Sequence, residues 1–138
     1  GRAGQVNAVQ DPDGVLLQLL ATGLTPGPHG LHLHATPLCE PPAFTSATAH
    51  WNPSARKHGS RNPEGPHAGD LPNLVADARG EARAQLLIPH ATLNAGPASI
   101  GVPGTALVIH AGPDDEQTDP SGNSGARIAC AVLSVATP

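Results

Sequence analysis

Sixteen prolines and sixteen glycines, spread along the whole chain, do most to limit its fold. Proline removes a backbone donor and glycine weakens a helix interior, and no segment shows a sustained helical apolar period. Short strand-like runs bounded by turns remain. Gln5 to Gln10 alternates apolar and polar residues, Asp11-Pro12-Asp13-Gly14 reads as a turn, and Val15 to Ala21 as the returning strand. Leu31 to Ala35 follows the loop Gly23 to Gly30. Leu74 to Asp77 and Ala82 to Ile88 form a second hairpin, and Thr105 to His110 and Arg127 to Val135 complete the set. Ser46 to Ala49 could hold one helical turn. Short strands at this spacing predict an all-β antiparallel sandwich or barrel. The length suits a single domain over residues 1–138.

The connections Thr36 to Asn73 and Ala111 to Ala126 are unusually long for such a fold. Loops beyond about 12–15 residues without structure of their own are uncommon, and are usually functional or disordered. The first contains His50, His58, His67 and Asp70, ending in the tight His67-Ala-Gly-Asp70. Imidazole is the commonest metal ligand, and three imidazoles with one carboxylate can close a tetrahedral zinc shell. A bound ion would also offset the entropy of ordering the loop. Taken singly, each loop histidine is better explained by solvent exposure; four candidate ligands in so short a stretch are not.

His32 and His34 lie two apart in Leu31-His-Leu-His, so a strand puts them on one face, about 6.6 Å apart at about 3.3 Å per residue, with Leu31 and Leu33 facing the core. His110 ends the run Ala106-Leu-Val-Ile-His and could join them from a neighbouring strand. Three histidines on strands make a rigid site of the kind redox copper favours. His29 reads as a structural hydrogen-bonding residue, His90 as exposed and Trp51 as packing.

The net charge of −4 argues against a nucleic-acid binder, and no apolar run approaches the roughly 20 residues of a membrane helix. The chain starts at Gly1 with no charged-then-apolar leader, which predicts that any signal peptide is removed or left out. Cys39 and Cys130 lack a CxxC spacing, leaving buried thiols, metal ligands or a disulfide as readings. The pair and the absence of Met lean towards an oxidising compartment.

Gly30-Leu-His-Leu-His34, His50-Trp-Asn-Pro53, Lys57-His-Gly59, His67-Ala-Gly-Asp-Leu71 and Gly122-Asn-Ser-Gly-Ala-Arg-Ile-Ala-Cys130 closely resemble the signatures of copper/zinc superoxide dismutases. The resemblance runs from about Gly4 to Val135, with the motifs in the right order and spacing. It implies a Greek-key, immunoglobulin-like sandwich or barrel with two functional loops. It also implies dismutation of superoxide to dioxygen and hydrogen peroxide by a redox copper bridged through a histidine to a structural zinc. By the same resemblance His32, His34, His50 and His110 would hold copper, and His50, His58, His67 and Asp70 would hold zinc. His50 would be the bridge and proton carrier, and Arg127 would guide the anionic substrate. Asp114 would link His32 to His58, and Cys39 and Cys130 would form a disulfide. The family habit further implies an extracytoplasmic (periplasmic, cell-envelope or secreted) location and allows a homodimer.

Two departures from the family stand out. The chain begins at what corresponds to the family's second strand, so a sheet edge is expected to be exposed. The second loop carries Asp114, Asp115, Glu116 and Asp119 but no Lys or Arg, which predicts a weak or inverse salt dependence unless Arg56, Lys57, Arg61 or another chain compensates. The alternative function is a dismutase-like domain that only binds or delivers metal. Such domains typically lose a copper ligand or the arginine, and this chain retains them. A zinc hydrolase would need an open zinc position, which the loop pattern does not offer.

Overall fold

A computed structural model describes residues 3–94, 96–102 and 104–134. Among the described residues seven strands run in the order β1 (Ala3–Asp11), β2 (Gly14–Thr22), β3 (Gly27–His34), β4 (Asp70–Ala76), β5 (Ala82–Pro89), β6 (Thr105–His110) and β7 (Arg127–Leu133). A 3-10 turn at Thr45–Ala47 stands where the helical turn was expected. The strands pair antiparallel in a three-stranded sheet, β1-β2-β5, and a four-stranded sheet, β4-β3-β6-β7. The chain leaves the first sheet after β2, forms β3 and β4 in the second, and returns as β5 beside β2. That return is the Greek-key connection of a β-sandwich.

Two boundaries differ from expectation, and both matter for the histidines. Gly27 to Gly30 has turn composition yet belongs to β3. It pairs only with β4 there, Pro28 opposite Val75, while the β6 ladder begins at Leu31. A proline without an N–H is tolerated where one side of the strand is unpaired, and a register shift follows between His29 and Leu31. β4 likewise starts at Asp70, so His32 and Asp70 are direct partners across β3 and β4. Val135, the expected end of the last strand, lies outside the described residues.

The core is aliphatic. Val15, Leu17, Leu31, Leu33, Ile88 and Ile100 are at most 1 % exposed, and Trp51 packs among them as expected. Aliphatic burial at about 25 cal/mol per Å² therefore supplies most of the driving force that aromatics give elsewhere. The outward face of β6, Ala106 and Val108, packs beneath Ala47 and a Cys39–Cys130 disulfide that ties the first long loop to β7. Beyond β1, whose ladder runs on the β2 side only, an apolar cavity of about 250 Å³ opens towards β7, lined by Val6, Ala21, Ile109 and Ile128.

Candidate metal centre

Strand alternation sends Leu31 and Leu33 inward and His32 and His34 to the opposite face, where the loops bury both histidines almost completely. His110 arrives from β6. His50 is placed by the backbone: Trp51 N–H donates to Leu33 O (2.7 Å), Leu33 N–H to Gly69 O (2.8 Å) and Gly69 N–H to Trp51 O (2.9 Å). These bonds lay both ends of the 50–70 loop segment along β3. His50 then stacks on His32, with ring centroids 4.0 Å apart.

Four ring nitrogens in this nest are buried without a hydrogen-bond partner: His32 Nδ1, His34 Nε2, His50 Nε2 and His110 Nε2. Each of these four residues offers a ligand atom within 4.8 Å of the others. Buried polar groups are rarely left unpaired, since desolvating one costs about 1–3 kcal/mol. The other nitrogens explain which atom is left free. His34 Nδ1–H donates to Thr48 O (2.7 Å) and His110 Nδ1–H to Gly125 O (3.0 Å), leaving Nε2 inward. His32 Nε2–H donates to Asp114 Oδ2 (2.8 Å), leaving Nδ1 inward. The lone pairs converge on a space that an all-nitrogen metal site fits.

A second nest adjoins the first. Asp70 Oδ1 lies 2.9, 2.8 and 3.3 Å from Nδ1 of His50, His58 and His67, and the Nδ1 atoms of His50 and His67 are 3.1 Å apart. Three imidazole nitrogens around one carboxylate oxygen make a donor set that fits a tetrahedral zinc site. His32 also approaches His50, His58 and Asp70. Its Nε2 is taken by Asp114, however, so His67 completes the three-nitrogen, one-oxygen group. His50 lies between the nests, with Nε2 unpaired on one side and Nδ1 beside Asp70 and His67 on the other. Asp114 accepts from His32 through Oδ2 and from His58 through Oδ1, both at 2.8 Å, joining the two residues the sequence paired with it.

The electrostatics follow from burial and these carboxylates. Burial pushes His34 down to about 3, against its hydrogen bond to Thr48 O. Burial also lowers His50 and His110 to about 4 each, outweighing the Asp70 hydrogen bond at His50. These imidazoles are neutral at pH 7, as ligation requires. His58 behaves oppositely: burial opposes its charge, but hydrogen bonds to Asp114 and Asp70 raise it to about 9. Burial opposes ionisation of both carboxylates, yet hydrogen bonds from His50 and His58 to Asp70, and from His32 and His58 to Asp114, hold them well below the usual range.

Arg127 stands at the mouth, donating through Nη1 to Phe44 O (2.8 Å) and through Nη2 to Thr48 O (2.6 Å). Partial burial lowers its pKa from the ordinary guanidinium value. His34, His50, His110, Arg127, Arg56 and Asp119 line a cavity of about 510 Å³ there.

Residues 2–133 match the family description copper/zinc superoxide dismutase (SODC). The chain belongs to the copper/zinc superoxide dismutase family. It is 48 % identical over 133 residues to a superoxide dismutase [Cu-Zn] 2 of Aquifex aeolicus, covering 94 % of this chain and 78 % of that one. It is 44 % identical to a superoxide dismutase [Cu-Zn] of Caulobacter vibrioides, with 95 % and 78 % covered. A superoxide dismutase-like protein from Bacillus subtilis has the same fold in its crystal structure, with a TM-score of 0.90 at 39 % identity over 94 % of this chain and 89 % of that one. The chain is thus an enzyme of this dismutase family, with superoxide as the substrate class.

Three contributors to the site were not read from the sequence. Asn73 Oδ1 accepts from Asp114 N–H (2.8 Å) and its Nδ2–H donates to Asp114 O (3.0 Å), so β4 fixes the aspartate. Thr48 offers one carbonyl to both His34 and Arg127, from a left-handed backbone at φ 65° that a β-branched residue rarely adopts. Gly122 lies so close to Asp114 that a Cβ would overlap the carboxylate. Of the other histidines, His29 packs its ring nitrogens against His110 O and Thr25 O, while His90 is exposed, both as read.

Proposed function

We propose that residues 1–138 form one catalytic domain in which His32, His34, His50 and His110 hold copper and His50, His58, His67 and Asp70 hold zinc. The observation that carries this reading is the convergence of four buried, unpaired imidazole nitrogens. The donor sets fit the two ions: all nitrogen for a redox copper, three nitrogens and one carboxylate for a closed structural zinc. When bound, copper supplies reversible one-electron redox chemistry, and zinc supplies structure and a fixed positive charge.

The chain's residues supply the rest of the dismutation. Arg127, braced by Phe44 O and Thr48 O, docks the superoxide anion at the mouth. His50 takes a proton from solvent at Nε2 in one half-reaction and returns it to the departing peroxide in the other, solvent supplying the second proton of hydrogen peroxide. Asp70 and the zinc-side histidines hold the opposite edge of its ring. Asp114 fixes the rings of His32 and His58, as outer carboxylates do for metal-binding histidines. The disulfide and the family membership support an oxidising, extracytoplasmic compartment. Among the described residues no helix is long and apolar enough to cross a membrane.

The test is metal content and superoxide dismutation on the same as-purified and copper-reconstituted protein. About one copper and one zinc per chain is expected from the two donor sets, with activity that chelation removes and copper restores. Zinc alone, with no activity after copper loading, would leave the metal-handling alternative.

A further inference from the structure

Thr48 holds a backbone that its own side chain disfavours. Its φ is 65° and its ψ −147°, a combination that glycine reaches easily and a β-branched residue does not. Such strain persists only where the surroundings over-determine it. Two hydroxyls supply that hold. Thr48 Oγ1–H donates to Ala47 O (2.6 Å), and the same oxygen lies 2.8 Å from Thr36 Oγ1. A hydroxyl carries one hydrogen, and that of Thr48 goes to Ala47, so Thr36 Oγ1–H is the donor of the pair. Thr36 N–H also donates to Ala47 O (3.1 Å), which closes a ring of hydrogen bonds through Thr36, Ala47 and Thr48. Ala35 N–H to Ala49 O (2.8 Å) continues the pairing past Thr48. Ala47 is fully buried with Ala106 and Val108 of β6, so the ring is anchored to the sheet.

We propose that Thr36 is a positioning residue: its hydroxyl holds the strained Thr48 backbone in place, and so aims the carbonyl that orients His34 and Arg127. What those two groups then do rests on the dismutase reading above. Thr36 acts only through Thr48, whose carbonyl accepts from His34 Nδ1–H and Arg127 Nη2–H. Thr36 also lies two residues beyond His34, so the hydroxyl pair ties the end of that histidine's strand to the loop facing it. The pair is open to solvent, which puts its worth at the low end for a hydrogen bond, about two- to five-fold in an equilibrium.

The experiment compares the parent with Thr36→Val, Thr36→Ser, Thr48→Gly and the Thr36→Val/Thr48→Gly double variant. Valine keeps the shape of threonine without the hydroxyl, serine keeps the hydroxyl, and glycine adopts the Thr48 backbone without strain. One readout is azide affinity from the visible copper band of the copper- and zinc-loaded protein. The other is the rate at which the His34 Nδ1–H proton exchanges with water in the metal-free full chain, followed by NMR. Thr36→Val is expected to weaken azide binding and to speed the exchange, each by about two- to five-fold. Thr36→Ser is expected to restore both, and Thr48→Gly to stay within about two-fold of the parent. In the Thr48→Gly background, Thr36→Val is expected to change neither, because no strained backbone is left to hold.

A Thr36→Val variant that melts at a lower temperature while both readouts keep their parent values overturns the proposal, since the hydroxyl would then serve stability alone. An equal loss from Thr36→Val with and without Thr48→Gly also overturns it, because Thr36 would not be acting through Thr48. If the loaded parent shows no dismutation but His34 Nδ1–H exchange still follows the Thr36 hydroxyl, the dismutase reading fails while the positioning role stands.

Discussion

At the scale of single residues, orientation is set by acceptors on the far side of each ring. Asp114→Asn keeps the shape but cannot accept equally from His32 and His58, so zinc affinity and activity are expected to fall about 10- to 100-fold, measured by competition with a chromogenic chelator. Gly122→Ala is expected to weaken zinc binding similarly without replacing a proposed ligand, because its Cβ would displace the Asp114 carboxylate and crowd His58 Nε2. Wild-type affinity in that variant would show that the loop relaxes without cost to the site. The histidines that gather in the two nests were legible, since His-x-His on a strand and a dense run of histidines have few other uses. Asn73 was not, because an asparagine in a strand carries no spacing signal. Nor was Thr48, whose contribution is a backbone carbonyl that every residue type possesses.

At the scale of elements, the long loops are ordered by the sheet they cross. The hydrogen bonds linking Leu33, Trp51 and Gly69 extend the β3 ladder into the first loop, and the disulfide fixes that loop's other arm to β7. Replacing Cys39 and Cys130 by serine is expected to cost about 2–5 kcal/mol in urea unfolding of the metal-free protein. The loss should be smaller with metals bound, because ligation holds the same loop. An unchanged unfolding midpoint would mean the loop is ordered without its cross-link. Strand identities were readable from alternation and turn residues, but the starts of β3 and β4 were not. Gly27-Pro28 has turn chemistry and joins a strand only because one of its sides is unpaired, a fact of tertiary placement.

At the scale of the whole molecule, the metal-free protein should have a narrow pH optimum. His34, His50 and His110 have folded pKa values of about 3 to 4, below the unfolded value near 6.5. The unfolded chain therefore binds more protons between those limits, and stability falls as pH drops through them. Three such protons give at most about 4 kcal/mol per pH unit near pH 5. Asp70 and Asp114, depressed in the fold, add a further loss below about pH 4. His58, raised to about 9, has the opposite sign: its contribution is complete below pH 6.5 and disappears as pH rises through 9. Urea midpoints across pH 4–10 should peak near 6.5. A flat profile would mean these imidazoles are not neutral in the folded chain.

The architecture keeps its chemistry to one side. Every proposed ligand, Asp114 and Arg127 come from the four-stranded sheet or the loops that cover it, whereas β1, β2 and β5 contribute only packing and polar surface. A scan of substitutions along the chain should therefore sort into two populations. Changes in the three-stranded sheet would shift melting temperature while leaving the turnover of each folded molecule intact. That sheet is the part of the protein open to redesign: strands could be replaced or extended there, or the β1 edge joined to another polypeptide, with the reactive centre left as it is.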